Sequence, residues 1–296
     1  MKKSILAVLI LSSPILFAQK IKVEEGSEKF STGSQNAASA TIYEADVDFV
    51  IKEWKKVLKE FKYEKVKDDN NEVFGDNITI KEWGNNPAEF YTKFVEDKKA
   101  KTIQMSTAVD LGGAYVKSSD NSDKFKFIEK MTKEFAIKMS KAPIEDKLND
   151  ANKTLSKEED RLKDLEKDKK NLQDDIVDYK NKINKAEKEV IVKEAELEKK
   201  KGEVKVQKKV VDASSDAVSE QAKSAKKIYD KLEGQQKDLE KDIKELNSDI
   251  KNYKEKIEKA EKDIKTNEEN QEKKKKEIEE AKKVVADIKK KLESID

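Results

Sequence analysis

The sequence predicts a mainly α protein: a small two-layer α+β domain over residues 40–144, then a long α-helical coiled coil over residues 145–296 with an internal duplication. Three observations carry this. Residues 157–211 align without a gap over 231–285, with about 30 of the 55 positions identical. All ten Phe and both Trp lie at or before Phe135, so packing on large rings ends there. Beyond Pro143, the last proline, more than half of the residues are charged and nothing forbids continuous helix.

Residues 1–18, MKKSILAVLILSSPILFA, carry basic Lys2 and Lys3, an apolar run from Ile5 to Phe17 and small Ala18. This pattern reads as a secretory signal peptide cleaved after Ala18, and the run is short for a membrane span. The expected location is the periplasm or outside the cell. With no cysteine there is no lipid-carrying thiol and no disulfide framework. Residues 19–39 are small and polar and read as an irregular lead-in.

From residue 40, ATIYEA is a strand candidate, and Asp46 caps a helix running to about Phe61. Val47, Val50, Ile51, Trp54, Val57, Leu58 and Phe61 form its apolar face. Residues 62–116 alternate in short β-branched and aromatic runs between turn residues, predicting three or four antiparallel strands. Helical spacing returns with Phe127, Ile128, Met131, Phe135 and Met139. Both helices are expected on one face of the sheet.

In the tail, the expected seam in the first copy includes Ile176, Ile183 and Val190; the second contributes Ile250, Ile257, Ile264, Ile278 and Val285. The copies are offset by 74 residues, ten heptads plus four, so one continuous helix must absorb a stutter between Leu232 and Ile243. Lys193 and Lys200 in one copy, and Asn267, Gln271 and Lys274 in the other, put polar groups on the seam. A straight rod is favoured over a hairpin because the apolar phase resumes after each patch. Residues 212–227 are the other candidate bend, but Val211, Val218, Ala225 and Leu232 keep one phase across them and favour unbroken helix.

The absence of histidine and cysteine excludes Ser-His-Asp, Cys-His and His-based zinc chemistry. No Gly-x4-Gly-Lys-Ser/Thr loop is present. The acidic run 68–72 lacks the glycine and the twelfth-position glutamate of an EF-hand, so it reads as a hairpin turn. Gly112 and Gly113 read as a tight turn. No catalytic, cofactor or metal residue is expected; Trp83, entering a Gly-Asn-Asn-Pro turn, is the one candidate partner contact, with core packing as its simpler explanation. Removing Lys2 and Lys3 with the leader leaves 63 basic against 63 acidic residues, which argues against nucleic acid as a partner. The tail's narrow Ile/Val/Leu seam without Trp or Phe makes membrane association unfavourable.

The FAQ leader end, FSTGSQNA, KEWKKVLKEF, AVDLGGAYV and the KDIKNYKEKIEKAEKDI repeat together resemble a group of exported Bacteroidota proteins that join a short α+β domain to a Lys/Glu-rich coiled coil. Tails of that group look like those of chromosome-segregation and DNA-repair ATPases, a similarity that here is compositional. The resemblance implies no site residues. The expected function is non-enzymatic: an extracytoplasmic structural or interaction protein whose coiled coil acts as spacer or oligomerisation element for an N-terminal contact domain, partnered by another protein or by itself. The alternative is a ligand-binding or enzymatic N-terminal domain with the coiled coil as an oligomerisation tail.

Overall fold

A computed structural model describes residues 20–84, 86–214 and 219–296; the expected leader and Val218 lie outside them. The chain divides into two compact units. One comprises the described residues of Met1–Ser156 with Glu280–Asp296, and the other is Lys157–Glu279.

The first unit is built on six antiparallel strands: β1 Val23–Phe30, β2 Gly33–Tyr43, β3 Lys65–Asp69, β4 Glu72–Thr79, β5 Pro87–Asp97 and β6 Thr102–Asp110. Their order across the sheet is β1-β2-β6-β5-β4-β3. The irregular lead-in expected over 19–39 is instead the β1–β2 hairpin, and the strands number six, not three or four. The reason lies in the side chains. Ala37, Ala38, Ser39 and Ala40 are all buried, so small residues fill both faces of β2 and no apolar alternation marks it. β1 is an edge strand carrying Glu24, Glu25, Glu28 and Lys29, charges that guard its open side.

Helix α1, Val47–Leu58, starts where expected: the Phe49 N–H donates to Asp46 Oδ1 at 2.9 Å. Its Val50, Ile51, Trp54 and Leu58 enter the main core beside Ile42, Phe90, Phe94, Ile103 and Met105 of the sheet. Phe125, Ile128, Phe135 and Met139 of a second helix join the same core, so both helices lie on one face. The turn predicted over 68–72 is a tight hairpin, with Asn70 and Asn71 both left-handed between the Asp69–Glu72 pair. Gly112 and Gly113 also have positive φ, and both N–H groups donate to Asp110 Oδ1.

The second helix, α2, spans Ser122–Asp212, and α3 spans Glu220–Glu293. With 91 and 74 residues they fill most of the chain, yet six strands form the first unit, so "mainly α" fits only loosely. Pro143 lies inside α2 and marks no boundary. Its ring removes the hydrogen bond to the Met139 carbonyl. Pro143→Ala is therefore expected to stabilise the first unit by about 1–3 kcal/mol, measured as a higher urea midpoint. The last residues also depart from the expected tail: Ile288, Leu292 and Ile295 pack on the first unit's core, and the Ile21 N–H donates to the Asp296 carbonyl at 2.8 Å.

In the second unit the helices run antiparallel, correcting the expectations of a straight rod and of unbroken helix across 212–227. Glu158 meets Lys274, Lys169 meets Glu268, Tyr179 meets Tyr253, Lys193 meets Asp242, and Gln207 meets the Ala225 carbonyl. As one number rises its partner's falls. Equal heptad phase on two helices does not require one helix: a turn resets direction and leaves each seam free to face the other. The expected stutter is also absent. Within α3, Leu232, Gln236, Leu239, Ile243 and Leu246 are all half-buried at alternating spacings of four and three, so the four-residue offset falls outside this helix.

Candidate interaction surfaces

Seam residues occupy the space between α2 and α3. Ile183, Val190 and Ile250 come together with Ala186, Ile243 and Leu246 in one apolar cluster of the second unit. Ile176, Ile257 and Ile264 are half-buried, and Ile278 is buried. Val285 is buried too, but in the first unit. At mid-length the Tyr179 and Tyr253 rings stack 5.9 Å apart, with Lys182 and Lys256 ammonium groups 5.5–5.8 Å from both centroids.

The polar seam positions find partners. Lys193 donates to Asp242 at 2.7 Å, and Lys274 to Glu158 and Glu277 at 2.5 Å each. Burial works against the Lys274 ammonium, but the hydrogen bonds from it to Glu158 and Glu277 hold its pKa above the ordinary 10.5. Glu158, also bonded to Arg161, is 7 % exposed at its side chain. Gln271 donates to Asn267 Oδ1 at 2.7 Å. The Lys193–Asp242 and Lys274–Glu158 pairs cross between the helices, so a mismatched register would break them at a largely dry seam, and they fix which levels of the helices meet. Sequence reasoning located the lysines and missed Glu158; the seam spacing Leu155, Glu158, Leu162 was the available signal.

Trp83 ends a short 3-10 turn, Lys81–Trp83. Its ring stacks on Phe90 at 6.3 Å, meets Phe127 edge-on at 5.5 Å, and carries Lys124 at 5.9 Å. Packing at the rim of the core thus accounts for most of the indole.

The sheet face opposite the helices bears a second, small cluster: Phe30, Ala37, Tyr91 and Ala108, with Phe74 and Tyr115 against it. Tyr91 donates to Glu89 Oε2 at 2.7 Å, and Glu89 lies directly across from Asp110. Burial, then Glu89, push the Tyr91 hydroxyl well above its usual range, so it stays a donor. Nearby, Ser31 Oγ donates to Glu72 Oε1 at 2.6 Å, and Tyr115 Oη pairs with Thr32 Oγ1 at 3.1 Å.

Glu44 forms the other polar focus of the first unit. It is left-handed at φ 57°, and its carboxylate accepts from Lys147 of α2 at 2.7 Å and from Lys291 of α3. A cleft of about 270 Å³ beside it is lined by Glu96, Lys98, Lys101 and Thr102. Partial burial works to raise the Glu44 pKa, but the hydrogen bonds from Lys147 and Lys291 bring it below the ordinary 4.5. A lowered folded-state pKa stabilises the fold above 4.5, and that contribution is lost as pH falls through the lowered value. Glu44→Gln should therefore lower the melting temperature at pH 7, and the difference from the parent should shrink as the pH falls through the acid range. Thermal unfolding across that range checks this.

Among the described residues no three Asp or Glu side chains gather closely enough to hold a metal ion, and no helix is long and apolar enough to cross a membrane. No protein-family model matches the chain, and no curated protein matches it.

Proposed function

We propose that this is a non-enzymatic, exported structural and interaction protein: an intramolecular coiled coil that arose by duplication, joined in one chain to a sheet unit that contacts a partner. The observation that carries the reading is the meeting of Tyr179 with Tyr253. These two are equivalents in the 74-residue alignment, and so are Lys182 and Lys256 beside them. Equivalent residues facing each other across antiparallel helices mark a local two-fold axis. One helix that once paired with its own copy would, after duplication, pair within the chain in this way. The Lys200–Glu203 and Lys274–Glu277 bonds, 2.7 and 2.5 Å, are a second equivalent pair about the same axis.

Such a construction supplies a rigid surface with its seam already used, which suits a scaffold. The partner-binding role then falls to the first unit, where the free edge of Trp83 with Lys124, and exposed Val95 on the outer sheet face, are the surfaces on offer. A photo-crosslinking residue placed at Lys124 or Val95 in cells is expected to capture a cell-envelope protein. A substrate turned over by the purified chain, with turnover abolished by Glu89→Gln or Asp110→Asn, would replace this reading with an enzymatic one.

A further inference from the structure

The face of α2 turned away from the seam carries exposed apolar side chains that nothing in the second unit covers. Ile191, Val192, Val206 and Val210 are 66, 57, 64 and 49 % exposed, and Ala195 and Gly202 are exposed on the same face. The aligned positions of the other copy show what an ordinary solvated face takes there. Ile191, Val192, Ala195, Gly202 and Val206 align with Lys265, Thr266, Glu269, Lys276 and Glu280. Between copies more than half identical, these five positions all run from charged or polar in the second copy to apolar or small in the first. Gly202 is the second oddity. A side chain built there meets nothing within 4 Å, so the chain bears the helix-weakening effect of a mid-helix glycine with no packing benefit of its own.

Both oddities disappear if another helix lies on this face, and the spacing says which helix. Ile191, Ala195, Lys199, Gly202, Val206 and Val210 follow one another at steps of four, four, three, four and four, the same read in either direction. A helix with such a pattern is complementary to itself turned end for end. Centred between Lys199 and Gly202, antiparallel pairing sets Ala195 against Val206 of the second copy and Ile191 against its Val210. It also sets Lys199 beside Glu203 of the second copy and Glu198 beside its Lys205, opposite charges on both flanks. Gly202 lets the two backbones approach at the centre.

We propose that this face of α2, residues 191–210, is a two-fold docking surface for a second copy of the chain. The site is independent of the seam and of the contact role given to the first unit, so loss of either reading leaves the other standing.

The test uses the full chain without its leader. Light scattering over about a hundredfold concentration range should show a monomer–dimer equilibrium. Val206→Glu and Gly202→Gln should each abolish the dimer, while helix content and melting temperature hold or, for Gly202→Gln, rise. Gly234→Ala, also in open space but on α3, should stabilise without changing association. Because the chain has no cysteine, geometry can be read directly. The double variant Ala195→Cys, Val206→Cys should form disulfide-linked dimers on mild oxidation, since within one helix these sites are about 17 Å apart and cannot bridge. Either single variant should stay unlinked. A monomer at every concentration, a dimer indifferent to Val206→Glu, or linked dimers from Ala195→Cys alone would each overturn the proposal, the last by showing a parallel arrangement.

Discussion

Replacing Trp54 by alanine should cost about 3–5 kcal/mol of unfolding free energy, the largest effect expected of any single side chain in the first unit. Trp54 has no exposed surface, and its ring meets Phe135 edge-on at 4.8 Å, so one residue of α1 packs against α2 within the core they share with the sheet. Truncation leaves a hole that the sheet cannot fill by moving, because Phe90, Phe94 and Met105 are themselves fully buried. Trp54→Phe should cost far less, since the indole N–H makes no hydrogen bond among the described residues and none is lost. Urea unfolding followed by Trp83 fluorescence, which survives both changes, separates the two variants.

Glu158→Lys is the corresponding change in the second unit, and about 3–5 kcal/mol is again expected. The substitution replaces a nearly buried carboxylate by an ammonium group among Lys274 and Arg161, leaving three cations where an ion network stood. Adding Lys274→Glu should restore much of the loss, because the exchanged pair keeps opposite charges at one level of the two helices. A double-mutant cycle by helix circular dichroism measures the recovery. Straight helices would place residues 158 and 274 about 170 Å apart, and no coupling would appear.

Where the sequence was legible, one physical signal dominated. Helix α1 was readable from Asp46 to its apolar face because a cap and a 3.6 period agree. The tight turns at Asn70–Asn71 and Gly112–Gly113 were readable because only certain residues accept left-handed backbone. Seam positions were readable from the heptads, and several are buried, among them Val190, Ile250 and Ile278. The β1–β2 hairpin was hidden because small residues pack a strand without producing alternation. The reversal between α2 and α3 was hidden for a different reason. A heptad pattern states which face of a helix is buried and is silent about which helix covers it, so rod and hairpin share one sequence signature. Lys193 and Lys274 on the seam held the deciding information, since each meets an acidic group of the other helix at one particular level, but pairing them required knowing the register first. The sites of the first unit were the least legible: Glu44, Glu89 and Asp110 acquire their neighbours only when strands and helices distant in sequence meet.

The central claim is that the two long helices of Lys157–Glu279 fold back on each other within one chain. Spin labels at Lys185 and Lys251, both exposed and on facing stretches of α2 and α3, test it most directly by double electron–electron resonance on labelled chain diluted into unlabelled chain. Neighbouring helix axes lie about 8–10 Å apart, so the account predicts one narrow distance below about 40 Å that dilution leaves unchanged. A distance near about 100 Å, the rise of a single helix between those positions, would contradict it.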